Sequence, residues 1–208
     1  MRADMVRNRG LLVDAARSAF AESGVEVSIG EIAQRAGVAK GTVFRHFASK
    51  DDLLAAIMLE LLDRLIETAD SLRDADDAGQ ALWELMTAGV EALAGDQAFC
   101  EVVGKPSLQN AEVRAAIERF AGLVEVLTAR AREQGAIRDD VTGTDIVLLL
   151  GGIQQTAAPV LGAHPDAWRR YLALAFDGLA PVHPTKLPHP LPGSLQSALA
   201  PAGSAAEG

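Results

Sequence analysis

Apolar side chains recur at helical spacing through the start of the chain and predict consecutive helices. In residues 7–23 they form one stripe at i, i+1, i+4 and i+5, made of Leu11, Leu12, Ala15, Ala16, Ala19 and Phe20. Gly24 is expected to end this helix. Ser28 and Glu31 have the spacing of a capping box, so a second helix begins there, and Gly37 ends it.

Residues 40–47 are predicted to form a short third helix whose two faces differ in polarity. Val43 and Phe47 are four residues apart and point toward the core, whereas Thr42 and His46 share the outward face. A helix that ends in glycine, a three-residue turn and a short helix are the parts of a helix-turn-helix. The outward face of the third helix is therefore the surface expected to reach a major groove.

A long fourth helix over residues 50–72 is predicted to leave this N-terminal region. Ser49 has the position of its N-cap, and Asp52 lies in the first turn, where a negative charge suits the positive end of the helix dipole. Its apolar seam consists of Leu53, Leu54, Ile57, Met58, Leu61, Leu62 and Leu65. We expect this helix to join the N-terminal region to the rest of the chain.

The remainder divides into a helical body and a proline-rich tail. Five further helices, separated by glycine or proline, are predicted over residues 78–94, 97–104, 107–134, 142–162 and 165–180. Residues 181–208 contain prolines among Gly, Ser and Ala without an apolar period, and are expected to be disordered. The composition, 49% hydrophobic and 4% aromatic, also favours helices. The predicted fold is all-α with about nine helices, in domains of residues 1–50 and 51–180.

Charge is distributed unevenly along the chain, and this changes the class of partner expected. The formal net charge is −9. Residues 1–50 nonetheless carry eight basic and five acidic side chains, whereas the remaining residues carry 11 basic and 23 acidic ones. A region of +3 attached to a body of −12 attracts phosphate at one end only. Double-stranded DNA is therefore the expected partner of the N-terminal region.

Three features favour a soluble, cytoplasmic protein. Cys100 is the single cysteine, so no internal disulfide can form. Residues 1–10 carry charges but lack the apolar segment of a signal peptide. The longest apolar run, residues 146–153, is far shorter than the ~20 residues that cross a bilayer, so no membrane partner is expected.

The run from Ile32 to Leu53 resembles the DNA-binding signature of the TetR family of repressors. Its most specific part is Gly41-Thr42-Val43-Phe44-Arg45-His46-Phe47 followed by Ser49-Lys50. The resemblance covers about residues 1–55. It implies an all-α homodimer with a pocket for a small-molecule effector, whose binding releases DNA. Phe44 is a departure, because the family usually has a tyrosine there whose hydroxyl bonds a phosphate.

Three sets of candidate site residues follow. Lys50, on the first turn of the fourth helix, is expected to contact phosphate. The DNA-binding set is Ser28, Lys40, Thr42, Phe44, Arg45, His46 and Lys50. The effector set, chosen by location and residue type, is Trp83, Met86, Phe99, Cys100, Leu127 and Gln154, all of which also suit ordinary core positions. The resemblance implies a dimer interface on the last two helices, with candidates Leu149, Gly152, Trp168, Tyr171, Leu172, Ala175 and Phe176.

The sequence does not favour an enzyme. None of its four histidines stands at metal-ligand spacing with cysteines or carboxylates, so no metal is expected. It has no phosphate-binding glycine loop and no nucleophile elbow, and no cofactor is expected. Two alternatives remain. A ligand-binding helical protein without DNA binding would lack the Thr, His or Lys of the motif, all of which are present, and an activator would have the same architecture as a repressor.

Overall fold

The structure, a computed structural model, describes residues 2–24, 26–95, 110–182 and 185–189, with the single positions 191, 195 and 198. Within these residues the chain forms eight helices and no strand. They are α1 (Arg2–Ser23), α2 (Ile29–Arg35), α3 (Lys40–His46), α4 (Lys50–Leu72), α5 (Ala78–Gly95), α6 (Ala111–Glu133), α7 (Gly143–Leu161) and α8 (Ala167–Asp177). The predicted all-α class is confirmed. The helix expected over residues 97–104 lies outside the described residues.

Three helices have ends that the apolar pattern did not predict. α1 begins at Arg2, five residues before the predicted start at residue 7. α6 begins at Ala111 rather than at residue 107, since the Asn110 side chain accepts hydrogen bonds from two first-turn N–H groups at 2.9 and 3.2 Å. α8 spans Ala167–Asp177, shorter than the predicted 165–180.

Packing divides the chain into two compact units. The first comprises Met1–Asp63 with Gly95–Ala116, and the second comprises Arg64–Ala94 with Ile117–Gly208. The division therefore falls inside α4 and inside α6. The domain limits at residues 50 and 180 stay predictions.

The first unit encloses its core between α1, α2, α3 and the start of α4. Phe20 and Leu53 are fully buried there, and removal of a side chain of this size from water stabilises a fold by ~1.5–3 kcal/mol. The buried cluster consists of Leu12, Val13, Ala16, Ala19, Phe20, Val27, Ile32, Ala33, Val43, Phe47, Leu53, Ala56 and Ile57. The apolar stripe predicted for the first helix is confirmed from Leu12 to Phe20, but Leu11 is wrong, because 48% of it is exposed.

Helices of the second unit approach closely at two glycines. A Cβ at Gly143 would lie 2.6 Å from the Cα of Glu125, so α7 begins directly against the backbone of α6. A Cβ at Gly89 would lie 2.8 Å from Cδ1 of Leu150, which brings α5 beside α7. α8 in turn packs on α7. These contacts order α5 to α8 into one helical body.

Residues 185–189 contact the segment between α6 and α7. The buried Arg138 donates to both carboxylate oxygens of Asp140 and to the carbonyl of Thr185. The N–H of Leu187 donates to Asp140 Oδ2 at 3.2 Å. The hydrogen bond from Arg138 and that from Leu187 lower the pKa of Asp140 to about 2. Most of the tail lies outside the described residues, so disorder of residues 181–208 as a whole stays a prediction.

Among the described residues, one helix, α7, is long and apolar enough by length and composition to span a membrane. One third of that stretch is buried inside the protein. Core helices of soluble proteins have the same composition, so one such helix is weak evidence for a membrane span.

Candidate nucleic-acid interface

A glycine turn joins α2 to α3. Gly37 has φ of +68°, in the left-handed region that a residue with a Cβ disfavours. Its N–H donates to the carbonyl of Gln34 at 3.1 Å, and the N–H of Val38 donates to the carbonyl of Ala33 at 3.0 Å. These bonds satisfy carbonyls at the end of α2 that would otherwise lack partners. The turn that the sequence predicted is present.

Two capping boxes fix the helices on either side of α3. The Ser28 hydroxyl accepts from the N–H of Glu31 at 3.2 Å, and the Glu31 carboxylate accepts from the N–H of Ser28 at 2.8 Å. Ser49 and Asp52 make the equivalent pair at the start of α4, at 3.1 and 2.9 Å. Both caps confirm the predicted helix starts. Ser28 therefore has a structural role, and its contact with DNA stays a prediction.

The two faces of α3 differ in burial, although Thr42 and His46, predicted to share the outward face, are not its most exposed residues. Val43 and Phe47 are buried in the core of the first unit. On the other side, 47% of Phe44 is exposed, and its ring lies 6.0 Å from the Lys40 ammonium. Arg45 is also exposed, whereas Thr42 and His46 are half-buried. The short helix thus presents cationic, hydroxyl and aromatic groups together, a combination suited to phosphate, sugar and base edges.

Lys50 occupies the junction of three helices. Its ammonium lies 5.7 Å from the ring centroid of Phe20 on α1, and the residue is half-buried at the start of α4. The backbone and hydroxyl of Ser28, and then the charge of Lys50, lower the pKa of Glu31 at the start of α2. The cation is therefore held in place by neighbouring groups.

Ion pairs within the first unit neutralise some of its positive charge. Arg35 makes two hydrogen bonds with Glu22, at 2.7 and 2.5 Å, and Arg17 donates to Glu60 at 3.0 Å. The hydrogen bond from Arg35 lowers the pKa of Glu22. Counting charges along the sequence missed both pairs, because the two residues of each pair are separated by 13 residues (Arg35 and Glu22) or 43 residues (Arg17 and Glu60).

Two family models match the chain. The model for bacterial regulatory proteins of the tetR family matches residues 12–57. The model for the C-terminal domain of SbtR-like transcriptional regulators matches residues 77–181, half of the chain. The chain belongs to the TetR family of transcriptional regulators.

Relatives of this TetR-family protein match most of its length. A fatty acid metabolism regulator protein of Bacillus subtilis is 27% identical over 156 residues, 70% of this chain and 79% of the relative. The crystal structure of a TetR transcription regulatory protein from Mycobacterium vanbaalenii is 31% identical, with a TM-score of 0.61, covering 86% and 98% of the two chains. FadR from Bacillus subtilis, solved in complex with stearoyl-CoA, has a TM-score of 0.64 over 83% of this chain and 98% of FadR. It is 19% identical and shows the fold alone.

The effector candidates of this TetR-family protein occupy different environments. Met86, Leu127 and Gln154 are buried. Trp83 is half-buried and packs edge-on against Phe176, with ring centroids 5.0 Å apart. Phe99 and Cys100 lie outside the described residues. Their assignment to an effector pocket stays a prediction.

The dimer candidates on α7 and α8 also differ in exposure. Gly152 is exposed, and the half-buried members are Leu149, Tyr171, Ala175 and Phe176. Trp168 and Leu172 are buried in the second unit of their own chain, which does not favour a direct contact with another copy. The candidate set did not include the exposed apolar side chains Leu148 and Leu174.

Proposed function

We propose that this TetR-family protein is a repressor that binds palindromic operator DNA as a homodimer and releases it when a small-molecule effector binds its second unit. The observation that carries the proposal is the exposed face of α3. Val43 and Phe47 anchor that helix in the core, and the Gly37 turn sets its direction, so Lys40, Phe44 and Arg45 are presented to solvent. A helix held in this way is the form in which a helix-turn-helix enters the major groove.

Each side chain has a contact that suits its chemistry. Lys40 and Arg45 supply donors for guanine edges or phosphate, and the Thr42 hydroxyl can donate to either. The ring of Phe44 packs against sugar, while His46 is placed to donate to the backbone. Lys50, together with the first N–H groups of α4, faces a phosphate. The paired Arg17 and Arg35 serve the fold of the first unit instead.

An interface between two copies on α7 and α8 fits the exposure of those helices. Leu148 and Leu174 are 43% and 59% exposed, and the neighbouring Gly151 and Gly152 are exposed too. Apolar side chains beside glycines allow two helices to approach closely and bury surface from water. A two-fold assembly would place two α3 helices on half-sites about 34–36 Å apart, or a multiple of that distance.

Binding to the protein's own promoter region tests the proposal. Fluorescence anisotropy in about 150 mM salt should show a clear preference for that duplex over a scrambled one, since non-specific affinity is weak at this salt concentration. Arg45→Ala should reduce the preference, whereas Arg119→Ala, which removes an equal charge from an exposed position of α6, should not. Equal binding of both duplexes by the wild-type protein would contradict the proposal.

Acyl-CoA thioesters are the first effector class to test. The support is the similarity to a fatty acid metabolism regulator and to FadR solved with stearoyl-CoA. A thioester that acts as effector should lower operator affinity, and operator should weaken thioester binding by the same factor. Free coenzyme A and the matching fatty acid are the controls. If none of the three changes operator affinity, the effector belongs to another class and the DNA-binding proposal is unaffected.

A further inference from the structure

The segment that follows α4 is held by one end of α6. The Arg130 guanidinium donates to the carbonyl of Arg73 and, at 2.6 Å, to the carbonyl of Ala75. Both carbonyls belong to residues that follow Leu72, the last residue of α4, so these bonds fix the chain directly after that helix. A cation there also suits the negative end of the helix dipole.

Gln134, four residues after Arg130, holds the other side of the same segment. Its amide nitrogen donates to the carbonyl of Asp76 at 2.9 Å, and its amide oxygen accepts from the N–H of Ala78 at 2.9 Å. The second bond satisfies a donor in the first turn of α5. Two side chains, Arg130 in the last turn of α6 and Gln134 directly after that helix, therefore bind four backbone groups in residues 73–78. We call these two side chains the clamp between α4, α5 and α6.

The chemistry of the clamp favours a fixed geometry. A guanidinium is a planar fork that meets two acceptors at once, which the single ammonium of lysine cannot do in the same way. Residues 74, 76 and 77 are aspartates, so the positive charge of Arg130 also offsets their mutual repulsion. Arg73 already pairs with Asp70 and Asp74, at 3.4 and 3.9 Å.

We propose that Arg130 and Gln134 are positioning residues for the effector response, and that they make the C-terminal end of α4 move with α6. α4 is the continuous element that begins beside α3 and ends at the clamp. A shift of α6 therefore reaches the end of α4 through residues 73–78, which these four hydrogen bonds hold. The inference rests on the proposed function, because it assigns a route to regulation of that DNA-binding surface.

Hydrogen exchange of the full-length protein with and without its operator duplex tests the route. In the wild type, operator binding should change exchange in peptides from α6 that include residues 123–133 by about threefold or more, because DNA holds the start of α4 and the clamp passes the constraint on. Arg130→Met and Gln134→Leu should abolish this change at saturating operator. Arg119→Met, on the same helix and exposed, should preserve it.

The outcomes separate the two proposals. If the wild type binds operator but exchange in α6 does not change, or if both clamp variants keep the change, the clamp does not transmit and the inference is overturned. If the clamp only stabilised the fold, its variants would have an altered melting temperature, but operator binding would not change hydrogen exchange in α6 of the wild type. If Arg130→Met fails to fold, Arg130→Lys replaces it, since lysine keeps the charge but lacks the planar guanidinium. This variant should lose the operator-dependent change in hydrogen exchange of α6. Absence of operator binding by the wild type overturns the proposed function, and this inference with it.

Discussion

Phe44 presents an aromatic ring to solvent on α3, and we expect a hydroxyl at this position to bond a phosphate. About half of its surface is exposed, so an added hydroxyl meets no buried group. We expect Phe44→Tyr to tighten operator binding by about threefold to tenfold, the effect of one net hydrogen bond. Anisotropy titrations of both proteins measure it. Phe44→Leu keeps an apolar contact without a hydroxyl and should not tighten binding; unchanged affinity in the tyrosine variant would place this residue away from phosphate.

Lys50 should contribute charge without sequence preference. We expect Lys50→Ala to weaken operator and random duplexes by about equal factors and to reduce the slope of log K against log salt by about 0.9, since one phosphate contact is lost. Thr42→Ala should instead change the base preference. Titrations at four salt concentrations measure both quantities. An altered base preference with an unchanged salt slope in Lys50→Ala would contradict the phosphate assignment.

Local spacing predicts which residues face the core, but not which charges pair. Ser28 with Glu31, the Gly37 turn and the inward Val43 follow from positions a few residues apart, and the structure confirms all three. The partners of Arg35 and Arg130 lie 13 and 55 or more residues away, so only the folded chain reveals them. The burial of Trp168 within its own chain could not be predicted either. The apolar residues of an amphipathic helix have the same spacing whether the helix packs in a core or at an interface.

At the scale of whole helices, ends depend on caps more than on apolar periodicity. Asn110 sets the start of α6 through two hydrogen bonds. The spacing of apolar residues does not indicate where such a cap lies. The charged start of α1 shows the same limit in the other direction. Helix existence was therefore predictable throughout the described residues, whereas several boundaries were not.

Two helical glycines should respond to alanine in opposite ways. A Cβ at Gly143 would lie 2.6 Å from the backbone of Glu125, so Gly143→Ala must push α7 from α6 and should cost about 1–3 kcal/mol of unfolding free energy. Gly122 lies within α6 with no neighbour within 4 Å of the added Cβ. Gly122→Ala should raise stability by about 0.5–1 kcal/mol through helix propensity. Urea titrations of the two variants and the wild type measure this. Equal effects of the two substitutions would show that helix packing at Gly143 is loose.

At the scale of the whole molecule, residues 185–189 act as a part of the folded body. Asp140→Asn removes the charge that binds Arg138 and the N–H of Leu187, so we expect a melting temperature a few degrees lower. Asp139→Asn, the adjacent exposed carboxylate, is the matched control and should change it less. Removal of residues 183–208 should act in the same direction as Asp140→Asn. A truncated protein with wild-type melting temperature would show that these contacts add no stability.

The same carboxylate gives a pH dependence of known sign. The pKa of Asp140 is lowered from 3.8 to about 2. Its contribution to stability is therefore complete above about pH 5 and is lost as the pH falls through 4 toward 2. Melting curves of the wild type between pH 7 and 3 should lose more stability than those of Asp140→Asn. Parallel curves would mean that this pair does not couple to folding.

Among the residues that the structure describes, the buried cluster of the first unit is formed by residues between 12 and 57. Contacts that join residues so close in sequence form quickly, because little chain entropy is lost in closing each loop. During synthesis the chain emerges from its N-terminus, so this cluster leaves the ribosome well before residues 77–181 have been made. The helix-turn-helix is therefore expected to complete its core as a nascent single chain. If two copies pair through α7 and α8 as proposed, that assembly is the last event in making a protein able to span two half-sites.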